Sequence, residues 1–364
     1  MKIKQATTLA HPNIALAKYW GKRDYGHNLP AVPSLSVTLA GMTTATTVTF
    51  DPDLKQDQLL LGGQQASAQA TSRVTGLLDR VRTQSGVTEK ARVVSANDFP
   101  TAAGLASSAS AFAALALAAS TAAGLHLSPE EVSNLARLTS VSAARSVFGG
   151  FAELRAGWPK DEKLSAQQVA VPEHLPLRIV VAVVTEGPKA VSSTDGMAHT
   201  VKTSSYYASW VERAPGIFGR VKRAIADKDL EALGVAAEES AFAMHATSLA
   251  ATPALIYWTG TTLDVLAEVR RLRAVGIGAY ATIDAGPHVK VMCAPEDEIE
   301  VAKVLGAVPG VLRTIVTRPG PGARVFTAAE ERNQTDSMTY ESISTAYVTL
   351  DLDSGDLETQ SVKS

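Results

Sequence analysis

The stretch from Asn97 to Ser110 constrains this chain more than any other. It carries Pro100 and Gly104 among small residues and leads into an alanine-rich segment from about Ser107 to Ala123, which we predict to be a long helix. The first amide groups of a helix lack partners within it, and the helix dipole places partial positive charge there. The stretch therefore fits a phosphate site at a helix start, or alternatively an ordinary serine-capped helix in the core.

Composition narrows the protein class. The chain has 364 residues, of which 46% are hydrophobic, enough for two domains. A formal net charge of -2 argues against nucleic-acid binding by bulk charge, and the lone Cys293 excludes an intramolecular disulfide and a thiolate metal cluster. The first residues lack a signal-peptide run, and residues 109–123 are too short and serine-rich to span a bilayer. We expect a cytoplasmic protein without nucleic-acid or membrane partners, whose metal, if any, is a hard ion such as magnesium.

Hydrophobic spacing predicts strands and helices in both halves of the chain, hence an α+β or α/β protein of two domains with the ligand in the cleft between them. We place the domains at residues 1–175 and 176–328, followed by a tail at 329–364. Residues 13–23 are a mixed segment, 159–168 a surface loop, and 204–226 a helix. The other predicted helices span 69–85, 129–138, 230–247, 263–274 and 296–305, and the predicted strands include 3–10, 34–39, 43–50, 91–95, 151–154, 177–185, 278–283, 288–293 and 314–317.

Two further stretches are rich in basic or hydroxyl side chains. Residues 13–24 place two lysines and an arginine beside Tyr19 and Trp20, which fits an anion site or a solvated basic turn over buried aromatic rings. Residues 139–146 place Ser140 and Ser142 before Arg145, so that hydroxyls, amides and a guanidinium could hold a phosphate. The alternative is that Arg145 pairs with a surface acid.

Two other stretches could carry chemistry. Residues 187–197 are dense in serine and glycine, which indicates a loop, a helix start or a flexible connector. Asp284 follows an apolar strand and precedes a tight Gly-Pro turn, a position that suits a general base, although an Asx turn is the alternative. His245 and His288 have no partner at metal-ligand spacing, so we interpret both as structural.

Taken in chain order, these stretches resemble one family. Residues 100–109 (PTAAGLASSA) resemble the phosphate-binding motif of the superfamily of galactokinase, homoserine kinase, mevalonate kinase and phosphomevalonate kinase, the GHMP kinases. Residues 13–22 (NIALAKYWGK), 192–197 (SSTDGM) and 283–287 (IDAGP) narrow the resemblance to the diphosphomevalonate decarboxylases, over roughly residues 5–320. The resemblance implies an α+β two-domain GHMP-kinase fold, with the active site in the cleft between the domains, and a homodimer.

The resemblance also implies a reaction and its residues. Diphosphomevalonate decarboxylases use ATP and magnesium to phosphorylate the 3-hydroxyl of mevalonate 5-diphosphate, and the product loses phosphate and carbon dioxide to give isopentenyl diphosphate. Asp284 would orient or deprotonate that hydroxyl, and Lys18 would keep Asp284 ionised. The resemblance assigns the substrate diphosphate to Tyr19, Lys22, Ser140, Ser142 and Arg145. It assigns ATP to Gly104, Ala106, Ser107, Ser108, Ser192, Ser193 and Arg73.

Three positions depart from the family pattern. Val141 stands between two serines where the family has glycine, and it adds bulk beside the diphosphate. Residues 32–34 read Val-Pro-Ser instead of Asn-Ser-Ser, and Thr194 replaces an arginine of some bacterial members. These departures leave open a decarboxylase of mevalonate 5-phosphate. A kinase without decarboxylation and a sensor without turnover are further alternatives, and the presence of Lys18 and Asp284 argues against both.

Overall fold

The structure, a computed structural model, describes residues 4–24, 26–99, 107–187 and 190–326. Its strands are β1 (Lys4–Ala10), β2 (Asn13–Ala17), β3 (Ser34–Thr38), β4 (Thr44–Asp51), β5 (Gln58–Leu61), β6 (Gln64–Gln65), β7 (Lys90–Asn97), β8 (Phe151–Leu154), β9 (Gln167–Ala170), β10 (Arg178–Val183), β11 (Tyr280–Ile283), β12 (Val289–Cys293), β13 (Arg313–Thr317) and β14 (Arg324–Val325). Its helices are α1 (Ala68–Ser85), α2 (Ser107–Ala122), α3 (Pro129–Thr139), α4 (Ala143–Ser146), α5 (Ser193–Thr203), α6 (Tyr207–Ala226), α7 (Leu230–Leu249), α8 (Gly260–Ala274) and α9 (Glu298–Gly306). The predicted α+β class is confirmed.

The first sheet has the order β14-β1-β4-β7-β5-β6, and only the β5–β7 pair within it is parallel. Side chains of β4 alternate between buried and half-buried, as expected for a strand with one face on a core. Helix α2 packs on that face through its alanines, whose small side chains let a helix lie close to a sheet. The predicted helix at Ser107 is therefore confirmed, and Ser110 within it shares a 2.6 Å hydroxyl contact with Thr44 of β4.

The second sheet has the order β2-β3-β8-β9, and the third has the order β11-β12-β10-β13. Helices α6 and α7 share one hydrophobic core with both sheets, through residues such as Leu16, Val181, Val221 and Leu233. Helices α8 and α9 cover the other face of the third sheet. This shared core brings the end of β2 close to the third sheet, which is how residues distant in sequence meet.

Three local predictions differ from the structure. Residues 13–17 form a strand that pairs with β3, and all five are buried, so the polar-apolar alternation that marks a half-buried strand is absent. The strand β9 begins inside the predicted loop at 159–168, because its exposed Gln167 and Gln168 give no apolar signal. The predicted helix 204–226 begins at Tyr207, since Ser204 ends the separate helix α5.

The last described residues return to the first sheet, where β14 pairs with β1. They arrive through residues 318–322, whose glycines lie against the backbone at Gly149 and Gly150. A Cβ on Gly149 would lie 2.7 Å from the backbone nitrogen of Gly322, so the crossing requires glycine. The predicted domain boundary between residues 175 and 176 precedes β10 and stays a prediction, and the predicted tail at 329–364 lies outside the described residues. In the described ranges no helix has the length and apolar character needed to cross a membrane.

Candidate active site

Three charged side chains meet at the centre of the molecule. Lys18 follows β2, Asp284 follows β11, and Lys290 lies within β12. The Lys18 ammonium donates a 2.7 Å hydrogen bond to Oδ1 of Asp284, and the Lys290 ammonium lies 3.1 Å from Oδ2. Both lysine side chains are 1% exposed, whereas the Asp284 side chain is 25% exposed. Asp284 is thus the half-buried member of this cluster, although its Oδ2 is itself buried. The Gly286 amide donates to the Asp284 backbone carbonyl at 2.7 Å and not to the carboxylate, so the Asx-turn alternative does not describe this side chain.

Helix α7 holds the backbone on both sides of this cluster. The buried Ser240 hydroxyl accepts a 2.9 Å hydrogen bond from the Lys18 amide. The His245 Nε2–H group donates to the Asp284 carbonyl oxygen at 3.2 Å. Burial lowers the pKa of His245 to about 3, so its ring is neutral. The structural role predicted for His245 is therefore to fix the turn that presents Asp284.

Charge keeps the central carboxyl ionised. Burial opposes ionisation of Asp284, but the Lys18 and Lys290 ammonium groups outweigh it and hold the pKa of Asp284 well below its usual range. Burial lowers the pKa of Lys18 to about 8, although Asp284 counteracts this. At neutral pH the cluster therefore consists of a carboxylate between two cations. The solvated basic turn considered for residues 13–24 is wrong for Lys18.

Arg145 in α4 is a buried cation without an acidic partner. It is 2% exposed, and its guanidinium donates to the hydroxyls of Ser36 at 3.0 Å and Ser34 at 2.6 Å. Among the described residues, no carboxylate lies within 4.0 Å of it. Burial lowers the pKa of Arg145 to about 10, which still leaves it charged at neutral pH. The surface ion pair considered for Arg145 is wrong, and its charge remains available to an anion.

Three of the predicted diphosphate residues, Ser140, Ser142 and Tyr19, lie close to Arg145, whereas Lys22 lies near Arg73. Ser140 and Ser142 flank the turn between α3 and α4, with their hydroxyl oxygens 3.3 Å apart. The Tyr19 hydroxyl is buried and finds no hydrogen-bond partner in the described part of the chain. The pKa of Lys22 is lowered by burial and by the nearby Arg73. These groups form a hydroxyl-rich, cationic pocket of the kind that binds phosphates.

Val141 does not fill this pocket. Its side chain is 3% exposed and packs in a small core with Leu29, Ala144 and Leu154. The bulk that distinguishes this chain from the family glycine therefore lies in the protein interior. Gly21, by contrast, must be glycine, because its φ is 98° and the Tyr207 hydroxyl occupies the position of a Cβ. This turn separates Tyr19 from Lys22.

A second feature is a cavity of about 480 Å³ between α1, α2 and the β5–β7 edge. Ser107 and Ser108 line it at the start of α2, and Arg73 lines it from α1. The Arg73 guanidinium lies 4.7 Å from the Phe112 ring centre and donates to the Thr139 carbonyl oxygen at 3.4 Å. The structure thus brings together three of the predicted ATP residues. Gly104 and Ala106 lie outside the described residues.

Ser192 and Ser193 lie elsewhere. Ser192 caps α5, since its hydroxyl accepts from the Asp195 amide at 3.1 Å and donates to the Asp195 carboxylate at 2.7 Å. Neither serine is among the described residues that line the cavity. The adjoining helix instead packs through Met197 in a core with Trp20 and Tyr257. Their predicted ATP contact stays a prediction.

Sequence reasoning missed several residues that build the site. The sequence analysis did not propose Lys290, Ser240, or the serines that accept from Arg145, Ser34 and Ser36. It also did not propose Asn13, which donates to Ser142 and Ser146. A lysine inside the apolar run of β12 is the one signal that could have been noticed. Within the described ranges, no three His, Cys, Asp or Glu side chains cluster closely enough to hold a metal ion.

Comparison with known proteins decides the family. A model of the diphosphomevalonate decarboxylase-like N-terminal domain matches residues 10–166, and a model of the mevalonate 5-diphosphate decarboxylase C-terminal domain matches residues 179–349. The chain belongs to the diphosphomevalonate decarboxylase family. The family resemblance carried by the sequence motifs is therefore confirmed, and so is the GHMP-kinase fold that it implies.

Individual family members agree with this. Diphosphomevalonate decarboxylase mvd1 of Aspergillus fumigatus is 38% identical over 331 residues, which cover 85% of this chain and 81% of the relative. Phosphomevalonate decarboxylase of Haloferax volcanii is 33% identical over 301 residues, covering 82% and 91%.

Solved structures of family members superpose over most of the chain. The mevalonate diphosphate decarboxylase of Staphylococcus aureus is 38% identical with a TM-score of 0.85, covering 90% of this chain and 99% of that one. A structure of MDDEF in complex with MVAPP, AMPPCP and magnesium is 40% identical with a TM-score of 0.84, covering 90% and 100%.

Proposed function

We propose that this protein catalyses the ATP-dependent decarboxylation of mevalonate 5-diphosphate to isopentenyl diphosphate, with release of ADP, phosphate and carbon dioxide. The observation that carries this proposal is the half-buried carboxylate of Asp284 between two buried ammonium groups, close to a buried cation that has no carboxylate within 4.0 Å among the described residues. The first arrangement suits a reacting hydroxyl, and the second suits a phosphate. Family membership specifies the reaction.

The substrate diphosphate is bound by the pocket around Arg145. Burying a guanidinium without a carboxylate partner costs free energy of desolvation, and an anion that binds beside it offsets that cost. Ser140, Ser142 and Tyr19 add hydroxyl groups, and Lys22 adds a second cation. We therefore infer that these residues bind the terminal and bridging oxygens of the substrate diphosphate. The pocket lies beside Lys18, because Arg145 is close enough for its charge to lower the pKa of Lys18.

The nucleotide is bound in the cavity beside α2. Its apolar wall, with Leu59, Val74 and Leu115, fits a base, while Ser107 and Ser108 at the helix start fit the phosphates. Magnesium offsets phosphate charge in such reactions, and it needs few protein ligands because it binds largely through phosphate oxygens and water. Ser192 and Ser193 would complete the phosphate contacts.

Asp284 orients the 3-hydroxyl of the substrate. Each of its carboxylate oxygens faces one ammonium, and because Oδ2 is buried, we assign the incoming O–H group to a lone pair of Oδ1. Because its pKa is so low, Asp284 acts first by fixing the hydroxyl and accepting its hydrogen bond, and only as a weak base. The 3-oxygen bonds to the γ-phosphorus as the γ-phosphorus–oxygen bond to ADP breaks. The hydroxyl proton passes to the Asp284 carboxylate, which releases it to water because its pKa is low.

The departing phosphate then takes the electron pair of the carbon–oxygen bond. The carboxylate leaves as carbon dioxide, and the electrons of its carbon–carbon bond form the new double bond. The positive charge that Lys18 and Arg145 place beside the site stabilises the phosphate as it leaves. This sequence needs no electron-sink cofactor.

Mevalonate 5-phosphate is the second candidate substrate, and the relative from Haloferax volcanii supports it. Family membership favours the diphosphate, since both matching family models describe diphosphomevalonate decarboxylases. The cluster of Lys18 and Asp284 favours turnover over a kinase-only or a sensor function. The valine at position 141 no longer argues for the monophosphate, because it lies in the core.

One assay separates these functions. Purified protein is given ATP, magnesium and either mevalonate 5-diphosphate or mevalonate 5-phosphate, and ADP and carbon dioxide are measured separately. We expect both products in equal amounts from the diphosphate. ADP without carbon dioxide would contradict the decarboxylase proposal, faster turnover of the monophosphate would change the substrate, and neither product from either compound would favour a sensor.

We also propose a cytoplasmic homodimer. The family resemblance supports the dimer, and the low net charge and soluble composition support the location. Light scattering coupled to size exclusion checks the first, with a mass near twice 38.1 kDa expected. Cell fractionation checks the second.

A further inference from the structure

Lys290 is an unusual residue for its position. In β12 the side chains of Val289, Val291 and Cys293 face the core beneath α8 and α9, so those of Lys290 and Met292 face the opposite side. Met292 enters the core shared with α6 and α7. Lys290 is 1% exposed on that same side, opposite Val181 of β10 and Thr282 of β11. An ammonium is thus placed in the middle of an apolar sheet.

The surroundings offer this ammonium one counter-charge. In the described ranges, Asp284 is the carboxylate within 4.0 Å of Lys290, and neither Nζ nor Oδ2 has a directed hydrogen bond, so the 3.1 Å contact between them is an ion pair. Burying an ammonium costs several kilocalories per mole by order of magnitude, and an apolar residue of similar size is often as stable or more so. Asp284 already has Lys18 as a partner at 2.7 Å, so folding alone does not require a second cation.

We propose that Lys290 is a positioning residue for Asp284, which together with Lys18 grips both carboxylate oxygens and so fixes the plane and the charge of the group that receives the substrate hydroxyl. Lys18 alone would leave the carboxylate free to rotate about its Cβ–Cγ bond. With both oxygens held, the remaining lone pairs point along fixed directions. This inference deepens the proposed function and rests on it for the identity of the hydroxyl.

The other charged groups near Asp284 do not replace Lys290. Lys18 approaches from the end of β2 and occupies Oδ1. His245 on α7 is neutral and contacts the carbonyl rather than the carboxylate. Arg145 on α4 influences Asp284 through space, while its own donors are directed at Ser34 and Ser36. Lys290 is therefore the group at Oδ2.

The first experiment needs no substrate. Carbon-13 NMR of aspartate carboxyl carbons follows ionisation directly, and the Asp284 signal is assigned by its loss in Asp284→Asn. In Lys290→Met we expect the Asp284 carboxyl to titrate about one pH unit or more above its value in the native chain, the effect of losing one close opposite charge. Lys222→Met is the matched control, because it removes an ammonium that pairs with Glu153 at the surface. An unshifted signal in folded Lys290→Met would overturn the inference even if the proposed substrate were wrong.

The second experiment uses turnover. We expect Lys290→Met to lower kcat about tenfold or more with little change in KM for ATP. The acid limb of the pH profile of kcat should move to higher pH. Lys290→Arg should recover part of the rate. If Lys290 acts through Asp284, the double variant with Asp284→Asn turns over no more slowly than Asp284→Asn alone. The positioning role would be refuted if the double variant were slower than Asp284→Asn alone. It would also be refuted if Lys290→Met lowered kcat without shifting the acid limb of the pH profile. Should Lys290→Met fail to fold, Lys290→Gln carries the same tests, since its amide can donate to Oδ2 without charge.

Discussion

Replacing Arg145 with methionine separates ligand binding from folding. In the folded protein this guanidinium is 2% exposed, and its hydrogen-bond partners within the described ranges are two serine hydroxyls. Methionine has a similar length and no charge, so the substitution removes the desolvation cost of the cation. It also leaves the Ser34 and Ser36 hydroxyls without their donor.

The two effects on stability are of similar size and opposite sign. Losing a buried uncompensated charge stabilises a protein by about 1–4 kcal/mol, and leaving two hydroxyls unsatisfied costs about 1 kcal/mol or more for each. We therefore expect the free energy of unfolding to change by less than about 1 kcal/mol. Substrate binding loses a charge-assisted contact worth about 1.5–3 kcal/mol, which weakens the affinity by roughly 10- to 150-fold.

Arg137 is the matched control. It is also a buried arginine without an ion pair, but its donors reach the carbonyl oxygens of Leu164, His27 and Asn28 and the amide oxygen of Asn134. Arg137→Met leaves the three carbonyl oxygens unpaired, whereas the Asn134 oxygen keeps the Leu164 amide as donor. We therefore expect a loss of about 3 kcal/mol or more in stability and an unchanged affinity while the protein stays folded.

Urea denaturation without ligand measures stability for both variants, and calorimetric titration with mevalonate 5-diphosphate measures affinity. The reasoning fails if Arg145→Met is the less stable of the two variants, or if it binds the substrate as tightly as the native chain does.

Three further predictions follow from the same geometry. Asp284→Asn should nearly abolish turnover while substrate still binds in a calorimetric titration, and a rate above about a tenth of the native one, a loss of only ~1.4 kcal/mol, would remove Asp284 from the mechanism. Val141→Ala should cost about 1–2 kcal/mol of stability in urea denaturation, because its side chain is in the core, yet leave KM unchanged; a lower KM would place the valine at the diphosphate after all. Because the pKa of Lys18 is about 8, kcat/KM should fall above pH 8 as its ammonium loses the proton. The free energy of unfolding should instead rise with pH between about 8 and the pKa of Lys18 in the unfolded chain, because in that range only the unfolded chain keeps the proton. A profile that stays flat to pH 10 would contradict the buried ammonium.

Local sequence patterns predicted the regular elements where one face of the element is buried and the other is not. The spacing of Val74, Leu77, Leu78 and Val81 predicted α1, and all four are buried. Ser128, a favoured capping residue directly before the predicted helix 129–138, forms a full capping box with Glu131. The pattern failed at β2, where every residue is buried, and at β9, where the edge strand carries exposed glutamines. Periodicity is informative only when burial alternates.

The sequence by itself determined the two-domain α+β class, the family and the chemistry-bearing motifs, because those depend on local spacing and on residue types that stand in order along the chain. Only the tertiary structure decided which charges meet. Lys18 and Asp284 are 266 positions apart, and Lys290 joins them because three strands and α7 share one core. The tertiary structure likewise decided that the Val141 side chain packs in the core. It also placed Arg145 where, among the described residues, no carboxylate forms an ion pair with it. Electrostatic pairing depends on distances of a few ångströms between remote segments, and packing sets those distances.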